Sequence, residues 1–268
     1  MMRAMLGGPP QHAQREAPAE GTAAPARLAS TLLAYGCVLG ACVVVAQLGA
    51  LVPWLRDNLQ LIVAALFLFV PTELIARRGE SFVPYGLTWR PWRPAVAWFV
   101  LAAVCCFPAF AGGLVAYYRV VCGWLPRRAG VVLPAAYRQL CPRFVGGWAR
   151  ARWQPLAPLA RLYLEQLVVV ALPEEYFFRG FVQTRLDRLW PARWRPGGGA
   201  VGQALFVNAL LFALAHVVVD LDPLRLAVFF PALLFGWLRS VSGTIGASTL
   251  FHAACNVVSA ALHRAFFR

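Results

Sequence analysis

Leu172-Pro-Glu-Glu-Tyr-Phe-Phe-Arg-Gly-Phe-Val-Gln-Thr-Arg-Leu186 places two adjacent carboxylates and an arginine within otherwise apolar sequence. An ionised side chain in hydrocarbon costs on the order of 3 kcal/mol even on the lenient insertion scale, so such residues usually face a bundle interior and mark a site. On a helix, Glu175 and Arg179 stand four residues apart and can pair on one face, whereas Glu174 lies about 100° away. The stretch therefore predicts a helix with a buried ion pair and a second carboxylate that is free to act elsewhere.

The composition of the chain is that of a membrane protein. Of its 268 residues, 60% are hydrophobic and 13% are charged, whereas soluble proteins have about 25% charged residues. The formal net charge is +14, and arginine supplies all 25 basic residues. Because these arginines lie between apolar runs and not on one soluble face, they indicate membrane topology and argue against nucleic-acid binding.

Seven apolar segments are each close to the roughly 20 residues that a spanning helix needs. They predict an all-α, polytopic helical bundle of about seven spans, within a range of six to eight, as a single membrane domain at residues 28–268. Residues 1–27 are rich in Ala, Pro, Gly and Gln and lack an apolar face, so we expect a mobile tail. The predicted spans lie near 29–51, 59–76, 95–118, 159–184, 200–219, 223–239 and 243–266.

The loops between these segments predict an orientation. Residues 77–93 and 185–195 each carry four arginines, and with seven spans both loops lie on the same side as the N-terminal tail. The positive-inside rule then places the N-terminus inside, and we expect an integral protein of a bacterial inner membrane. The 119–154 connection opposes this reading because it carries seven arginines on the predicted outer side. A disulfide between Cys122 and Cys141 would fit there only in an oxidising compartment.

Two later spans carry histidines at helical spacing. Phe212-x-x-x-His216 and His252-x-x-x-Asn256 are both four-residue spacings, so each pair projects from one helical face. A lone His is more often a packing residue, and Asn256 alone could join helices. Three spans that each carry an ionisable residue nevertheless favour a shared cavity, and we expect the catalytic core within about 159–266.

Together these side chains form an inventory for amide hydrolysis by direct attack of water. A carboxylate in a low-dielectric pocket is a usable general base near neutral pH, and a neutral His can orient the same water. A second His and an Asn offer N–H donors to the developing oxyanion. The sequence has no Gly-x-Ser-x-Gly elbow for serine catalysis and no His-Glu-x-x-His zinc motif. No cofactor is therefore predicted, although a divalent metal such as zinc stays open.

Three motifs follow one another along the late spans: Glu174-Glu175-x-x-x-Arg179, Phe212-x-x-x-His216 and His252-x-x-x-Asn256. They resemble the motifs of the CPBP family of intramembrane proteases, which includes the CAAX prenyl endopeptidases and the bacteriocin-processing or self-immunity (Abi) proteins. The resemblance covers roughly residues 165–259 and implies an all-helical bundle around a conical cavity. The longer form Pro-Glu-Glu-Tyr-Phe-Phe-Arg-Gly also resembles the bacterial myxosortase-like branch, which processes proteins with a C-terminal sorting tail.

The resemblance implies a role for each residue of the motifs. Glu174 would activate water with help from His216, and Glu175, paired with the arginine four residues later, would shape the site. His252 and Asn256 would form the oxyanion hole. The hypothesis is an endopeptidase that cleaves a membrane-tethered protein substrate near its C-terminus, at or within the lipid bilayer. The alternatives are a non-catalytic membrane partner such as an immunity protein, and a proton-coupled transporter, which the lack of internal repeats disfavours.

Overall fold

The computed structural model describes residues 20–88 and 92–268, with side chains from residue 27 onward. This part of the chain is an all-α bundle without a strand longer than an isolated bridge, as the sequence predicted. Backbone groups within lipid must be satisfied internally, which a helix achieves along its own length. The helices are α1 (Glu20–Leu48), α2 (Pro53–Ala76), α3 (Trp92–Arg119), α4 (Ala135–Leu140), α5 (Leu156–Leu189), α6 (Gln203–Asp220), α7 (Phe229–Ser242) and α8 (Gly246–Phe266).

Six helices of the described residues are long and apolar enough to cross a membrane, which makes the chain an integral membrane protein. With their continuous extensions, they are Arg27–Leu48, Pro53–Ala76, Trp92–Arg128, Leu156–Leu189, Gln203–Asp220 and Pro223–Ser242. The predicted seventh span, 243–266, is helix α8. It packs against α3, α5 and α7, and protein neighbours accept the Ser, Thr, His and Asn side chains that lipid would reject. The count therefore stays within the predicted range.

The predicted tail at residues 1–27 lies mostly outside the described residues. Helix α1 begins at Glu20, so the backbone of the last residues of that segment is helical. The division of the chain into a tail and one membrane domain stays a prediction.

The loops that carry most of the predicted inner arginines gather at one end of the bundle, which we call the Glu80 end. Arg188 Nη1, near the end of α5, lies 2.8 Å from Glu80 Oε2, in the loop after α2. The N–H of Ile245 donates to Gly86 O at 3.2 Å and so ties the start of α8 to the same loop. The Glu80 end is formed by residues 77–88, 190–202 and 243–245.

The remaining connections lie at the opposite end, which we call the Asp220 end. The N–H of Val145 donates to Phe266 O at 2.9 Å and holds the long connection against the end of α8. A disulfide between Cys122 and Cys141 ties the extension of α3 to the turn after α4. No further candidate span occurs in this connection within the described residues. The Asp220 end is formed by residues 49–52, 129–155, 221–222 and 267–268.

Aromatic side chains fill the core between α2, α5 and α6. The Phe67 ring stacks on Phe177 with 5.0 Å between the ring centres, and Phe178 meets Phe212 edge to face at 4.9 Å. All four side chains are buried. Rings packed in this way add roughly 0.5–1.5 kcal/mol per pair beyond their area burial, so they hold the three helices rigidly together.

Candidate active site

Helix α5 carries the two glutamates on a short α-helical segment between two π-helical stretches. The π-helical hydrogen bonds run over Gln166–Ala171 and Tyr176–Gln183, and Leu172–Glu175 lies between them. Pro173 lacks the N–H that would continue the α-helical ladder. Because π-helical turns inside α-helices occur often at functional sites, the change of winding marks this part of α5 independently of its charges.

Glu175 and Arg179 form the ion pair that their spacing predicted. Arg179 Nη1 lies 3.1 Å from Glu175 Oε1, and both side chains are fully buried. The guanidinium also donates to Ala232 O at 3.3 Å and lies over the Phe212 ring, 4.2 Å from its centre. A buried charge is tolerated only when partners surround it, and a carboxylate, a carbonyl and an aromatic face serve that purpose here.

His252 joins α8 to the glutamate pair on α5. Its Nδ1 lies 3.0 Å from Glu175 Oε1, and its Nε2 lies 3.8 Å from Glu174 Oε2. Because the ionised carboxylate of this buried pair only accepts hydrogen bonds, Nδ1 carries a proton and donates it to Glu175. The imidazole stacks on the Phe235 ring with 4.7 Å between the ring centres, which fixes its orientation.

Glu174 presents a carboxylate oxygen that is free to bind another molecule. Its side chain is 12% exposed and lines the main cavity of the bundle. Oε2 is buried and has no hydrogen-bond partner among the described residues. Leaving such an oxygen unpaired in a low-dielectric interior costs free energy, so Oε2 is suited to accept a hydrogen bond from water or a substrate N–H.

His216 lies on α6 and lines the same cavity. Its Nδ1 is 3.0 Å from Phe212 O, one helical turn earlier. A carbonyl oxygen only accepts, so Nδ1 carries a proton, and in this tautomer Nε2 is the nitrogen that can accept a hydrogen bond. The Phe212-x-x-x-His216 spacing therefore fixes the tautomer of His216 as well as its position on the helix.

Asn256 lies one turn after His252 on α8, and both residues line the cavity. Its Nδ2 donates to Gln166 Oε1 at 2.8 Å, whereas the hydrogen bond of His252 goes to Glu175. The two residues thus share a helical face but have different partners. An amide nitrogen carries two N–H groups, so one donor of Asn256 is left for a ligand. Their pairing in an oxyanion hole stays a prediction.

The main cavity has a volume of about 590 Å³ and brings four of the six predicted site residues together. Glu175 and Arg179 do not line it and support its wall instead. The lining residues at its mouth are exposed and belong to the Asp220 end and the helix segments beside it. They are Gln60, Asp220, Arg225 and Ser259.

The donor atoms do not fit a metal centre. In the part of the chain that the structure describes, no three His, Cys, Asp or Glu side chains are grouped so that they could hold a metal ion. We therefore derive no step through a metal. The expectation that the protein needs no cofactor stays a prediction.

Several polar residues of the site were not singled out from the sequence. Gln166 holds Asn256, and a buried network below the ion pair runs from Asn208 Nδ2 to Gln183 Oε1 at 3.3 Å and from Gln183 Nε2 to Gly236 O at 3.1 Å. A polar side chain within a predicted span was the signal that could have found Gln166, Gln183 and Asn208, because each costs free energy in lipid unless it is paired.

Residues 155–258 match the family model of the type II CAAX prenyl endopeptidases, described as Rce1-like. This region contains the glutamate pair and both histidine motifs. This region of the chain is therefore similar to the Rce1-like endopeptidases. The result confirms the predicted CPBP relationship, while the myxosortase-like branch stays a prediction. Searches of curated proteins and of solved structures found no match.

The Rce1-like region begins at α5, so helices α1 to α4 lie outside the match. Helices α1 and α2 still contribute to the cavity wall, which includes Cys42 from α1 and Gln60 and Phe67 from α2. The cavity is thus shared between the family region and a part of the chain that the family model does not cover.

Proposed function

We propose that the chain is an intramembrane endopeptidase in which Glu174 activates water for attack on a peptide bond. The observation that carries the proposal is that Glu174, whose Oε2 has no hydrogen-bond partner among the described residues, lines a cavity also lined by His216, His252 and Asn256. The match of residues 155–258 to the Rce1-like family model supports peptide-bond hydrolysis as the reaction. The substrate we propose is a membrane-tethered protein that is cleaved near its C-terminus.

The chemistry follows from the acceptors and donors of the site. A water molecule donates one hydrogen bond to the Glu174 carboxylate and the other to His216 Nε2, the ring nitrogen that does not face Phe212 O. Glu174 takes a proton as the water oxygen attacks the scissile carbonyl carbon. Glu174 then returns this proton to the leaving amine nitrogen as the C–N bond breaks, so the step is balanced without a further reactant.

Asn256 and His252 stabilise the oxyanion of the tetrahedral intermediate. Asn256 uses the N–H that is not bound to Gln166. His252 already donates Nδ1–H to Glu175, so it offers an Nε2–H to the oxyanion only when the ring carries both protons. Removal of one such donor typically lowers the rate by about 100-fold or more.

The reaction takes place on the side of the membrane that the Asp220 end faces. The cavity mouth lies at this end, next to the connection with the Cys122–Cys141 disulfide. Disulfides persist in oxidising compartments, and the Glu80 end carries the two loops that the positive-inside rule assigns to the cytoplasm. We therefore propose a bacterial inner membrane, an inner N-terminus and an exported substrate, in agreement with the resemblance to proteins that process a C-terminal sorting tail.

The test compares Glu174→Gln with Glu165→Gln in cells that lack their own copy of the gene. Glu165 lies on the same helix but is exposed and does not line the cavity, so its substitution controls for the loss of one carboxylate. Membrane and released proteins are compared for one whose C-terminal region changes in length. We expect Glu174→Gln to abolish processing while the protein stays in the membrane, and Glu165→Gln to retain it.

The same variants separate the protease from its alternatives. Normal processing in the Glu174→Gln cells would reject the proposed mechanism. A non-catalytic membrane partner is favoured if cells with Glu174→Gln keep the normal phenotype while cells with surface substitutions in residues 129–155 lose it. Proton-dependent uptake into vesicles that is lost in Glu174→Gln would instead support a transporter.

A further inference from the structure

A second cavity of about 290 Å³ lies at the Glu80 end and shares no lining residue with the proposed active site. Its wall joins the start of α1, the loop after α2 and the end of α5. Four of its six residues are arginines. The lining residues are Arg27, Thr31, Arg78, Glu80, Arg185 and Arg188.

Glu80 neutralises only one of these arginines. Its Oε2 lies 2.8 Å from Arg188 Nη1 and accepts a hydrogen bond from the Tyr85 hydroxyl at 2.7 Å. Partial burial raises the pKa of Glu80, but the hydrogen bonds and charge of Arg188 and Tyr85 outweigh burial and hold the pKa below its usual value. Glu80 is therefore ionised, and four arginines less one carboxylate leave 4 − 1 = 3 positive charges around the cavity.

Arg185 is the most informative of the four, because its guanidinium is buried without a complete set of partners. The residue is only 6% exposed, and its guanidinium lies over the Phe181 ring, 4.4 Å from the ring centre. Its Nη2 has no hydrogen-bond partner within the described residues. Buried N–H donors are paired in most proteins, so this donor beside a cavity indicates a ligand that accepts hydrogen bonds.

We propose that this cavity binds a phosphate group, carried either by an anionic lipid headgroup or by free phosphate. Guanidinium groups match the oxygens of phosphate in geometry and charge, and several of them converge on a space larger than one anion. The Glu80 end also carries the loops assigned to the cytoplasmic face, where anionic headgroups are abundant. The proposal concerns binding and does not depend on the protease activity.

The test measures the thermal stability of the full-length protein in an uncharged detergent. The additives are phosphatidylglycerol, phosphatidylcholine and inorganic phosphate. Sodium chloride at matched ionic strength is the salt control. A molecule that binds the folded state raises Tm in proportion to the logarithm of its concentration above Kd. We expect Tm to rise with phosphatidylglycerol, with inorganic phosphate, or with both, and not with phosphatidylcholine or sodium chloride.

Two adjacent arginines provide matched variants. Arg78→Gln removes a guanidinium that lines the cavity, whereas Arg77→Gln removes one that pairs with Glu73 outside it. Loss of one charge-assisted hydrogen bond weakens binding by about tenfold or more, so Arg78→Gln should need at least that much more ligand for the same rise in Tm. Arg77→Gln should behave like the wild type. Arg185→Gln should weaken the response to the ligand more than Arg78→Gln. If Arg185→Gln does not fold, the comparison of Arg78→Gln with Arg77→Gln still tests the proposal.

The outcomes are distinct. A response to phosphatidylglycerol alone identifies a lipid headgroup, and a response to inorganic phosphate identifies the free anion as a sufficient ligand. The proposal is overturned if neither raises Tm of the wild type. It is also overturned if Arg77→Gln weakens the response as much as Arg78→Gln, because the effect would then be one of general surface charge.

Discussion

Glu175 and Arg179, the buried ion pair of the site, are held by groups from two other helices as well as by each other, namely His252 on α8 and Ala232 O on α7. The spacing of Glu175 and Arg179 is local and was predicted from the sequence, as was the cluster of Glu174, His216 and His252. The contact between His252 Nδ1 and Glu175 joins residues 77 positions apart. Helical periodicity gives the face of a helix but not its rotation against a neighbour, so this contact could not be predicted.

The buried pair gives a prediction about stability. Arg179→Met leaves the Glu175 carboxylate buried without its main counter-charge and should lower the free energy of unfolding by about 3–5 kcal/mol. The double variant Glu175→Gln/Arg179→Met removes both charges and should recover most of that loss. Unfolding in detergent measures the free energy of unfolding of both variants. Equal stability of the single variant and the wild type would show that the ion pair contributes little to stability.

Asn256 gives a prediction about rate. Asn256→Ala removes the proposed oxyanion donor and should lower kcat by about 100-fold or more with little change in KM. Gln166→Leu keeps Asn256 but removes the acceptor that orients it, so its effect on kcat should be smaller and in the same direction. A change in KM alone for Asn256→Ala would place this residue in substrate binding instead.

At the level of helices, the sequence predicted which helices exist and in what order they follow. It did not predict the backbone geometry within a helix. All seven predicted spans correspond to helices of the structure, since long apolar runs with Pro and Gly at their ends are strong signals. The two π-helical stretches of α5 were not predicted. They depend on how α5 packs against α2 and α8, and neither partner is visible in the local sequence.

The contact between α5, α6 and α7 predicts a sensitivity at Gly236. An added Cβ there would lie 2.6 Å from Gln183 Oε1 and would also overlap the Leu205 side chain. Gly236→Ala should therefore lower stability, because overpacking costs about 1–3 kcal/mol, against a gain of about 1 kcal/mol from alanine in a helix.

Gly112→Ala is the matched control, because no atom lies within 4 Å of the added Cβ in the middle of α3. Alanine favours a helix over glycine by about 1 kcal/mol, so this variant should be neutral or slightly more stable. Equal Tm values for the two variants would contradict the close packing of α7 on α5.

For the whole molecule, the sequence predicted an all-α membrane bundle and placed two arginine-rich loops on one side. The end at which the cavity opens was not predicted, because it depends on how α1, α2, α5, α6 and α8 pack around the cavity. The 119–154 connection also could not be assigned from charge alone. Its arginines lie at the Asp220 end together with the disulfide. The arginines favour the inner side of the membrane for this connection, whereas the disulfide favours an oxidising compartment outside.

Accessibility of two engineered thiols tests the proposed orientation. Gln60→Cys lies at the cavity mouth and Ser81→Cys lies at the Glu80 end, each in a background whose five free cysteines are replaced by alanine. A membrane-impermeant maleimide added to intact cells should label residue 60 and not residue 81, and both should react after permeabilisation. The reverse pattern would place the cavity mouth in the cytoplasm.

The Cys122–Cys141 bridge has a practical meaning for anyone who produces the protein. The bridged segment continues into Val145, whose N–H holds the end of α8, and α8 carries His252 and Asn256. Reductant in a purification buffer, or a host strain without thiol-oxidising enzymes, would break the disulfide. The contact at the Asp220 end that holds α8, the helix with two residues of the site, would then be weakened. Batches that differ only in their redox history should then differ in specific activity although their helix content is the same.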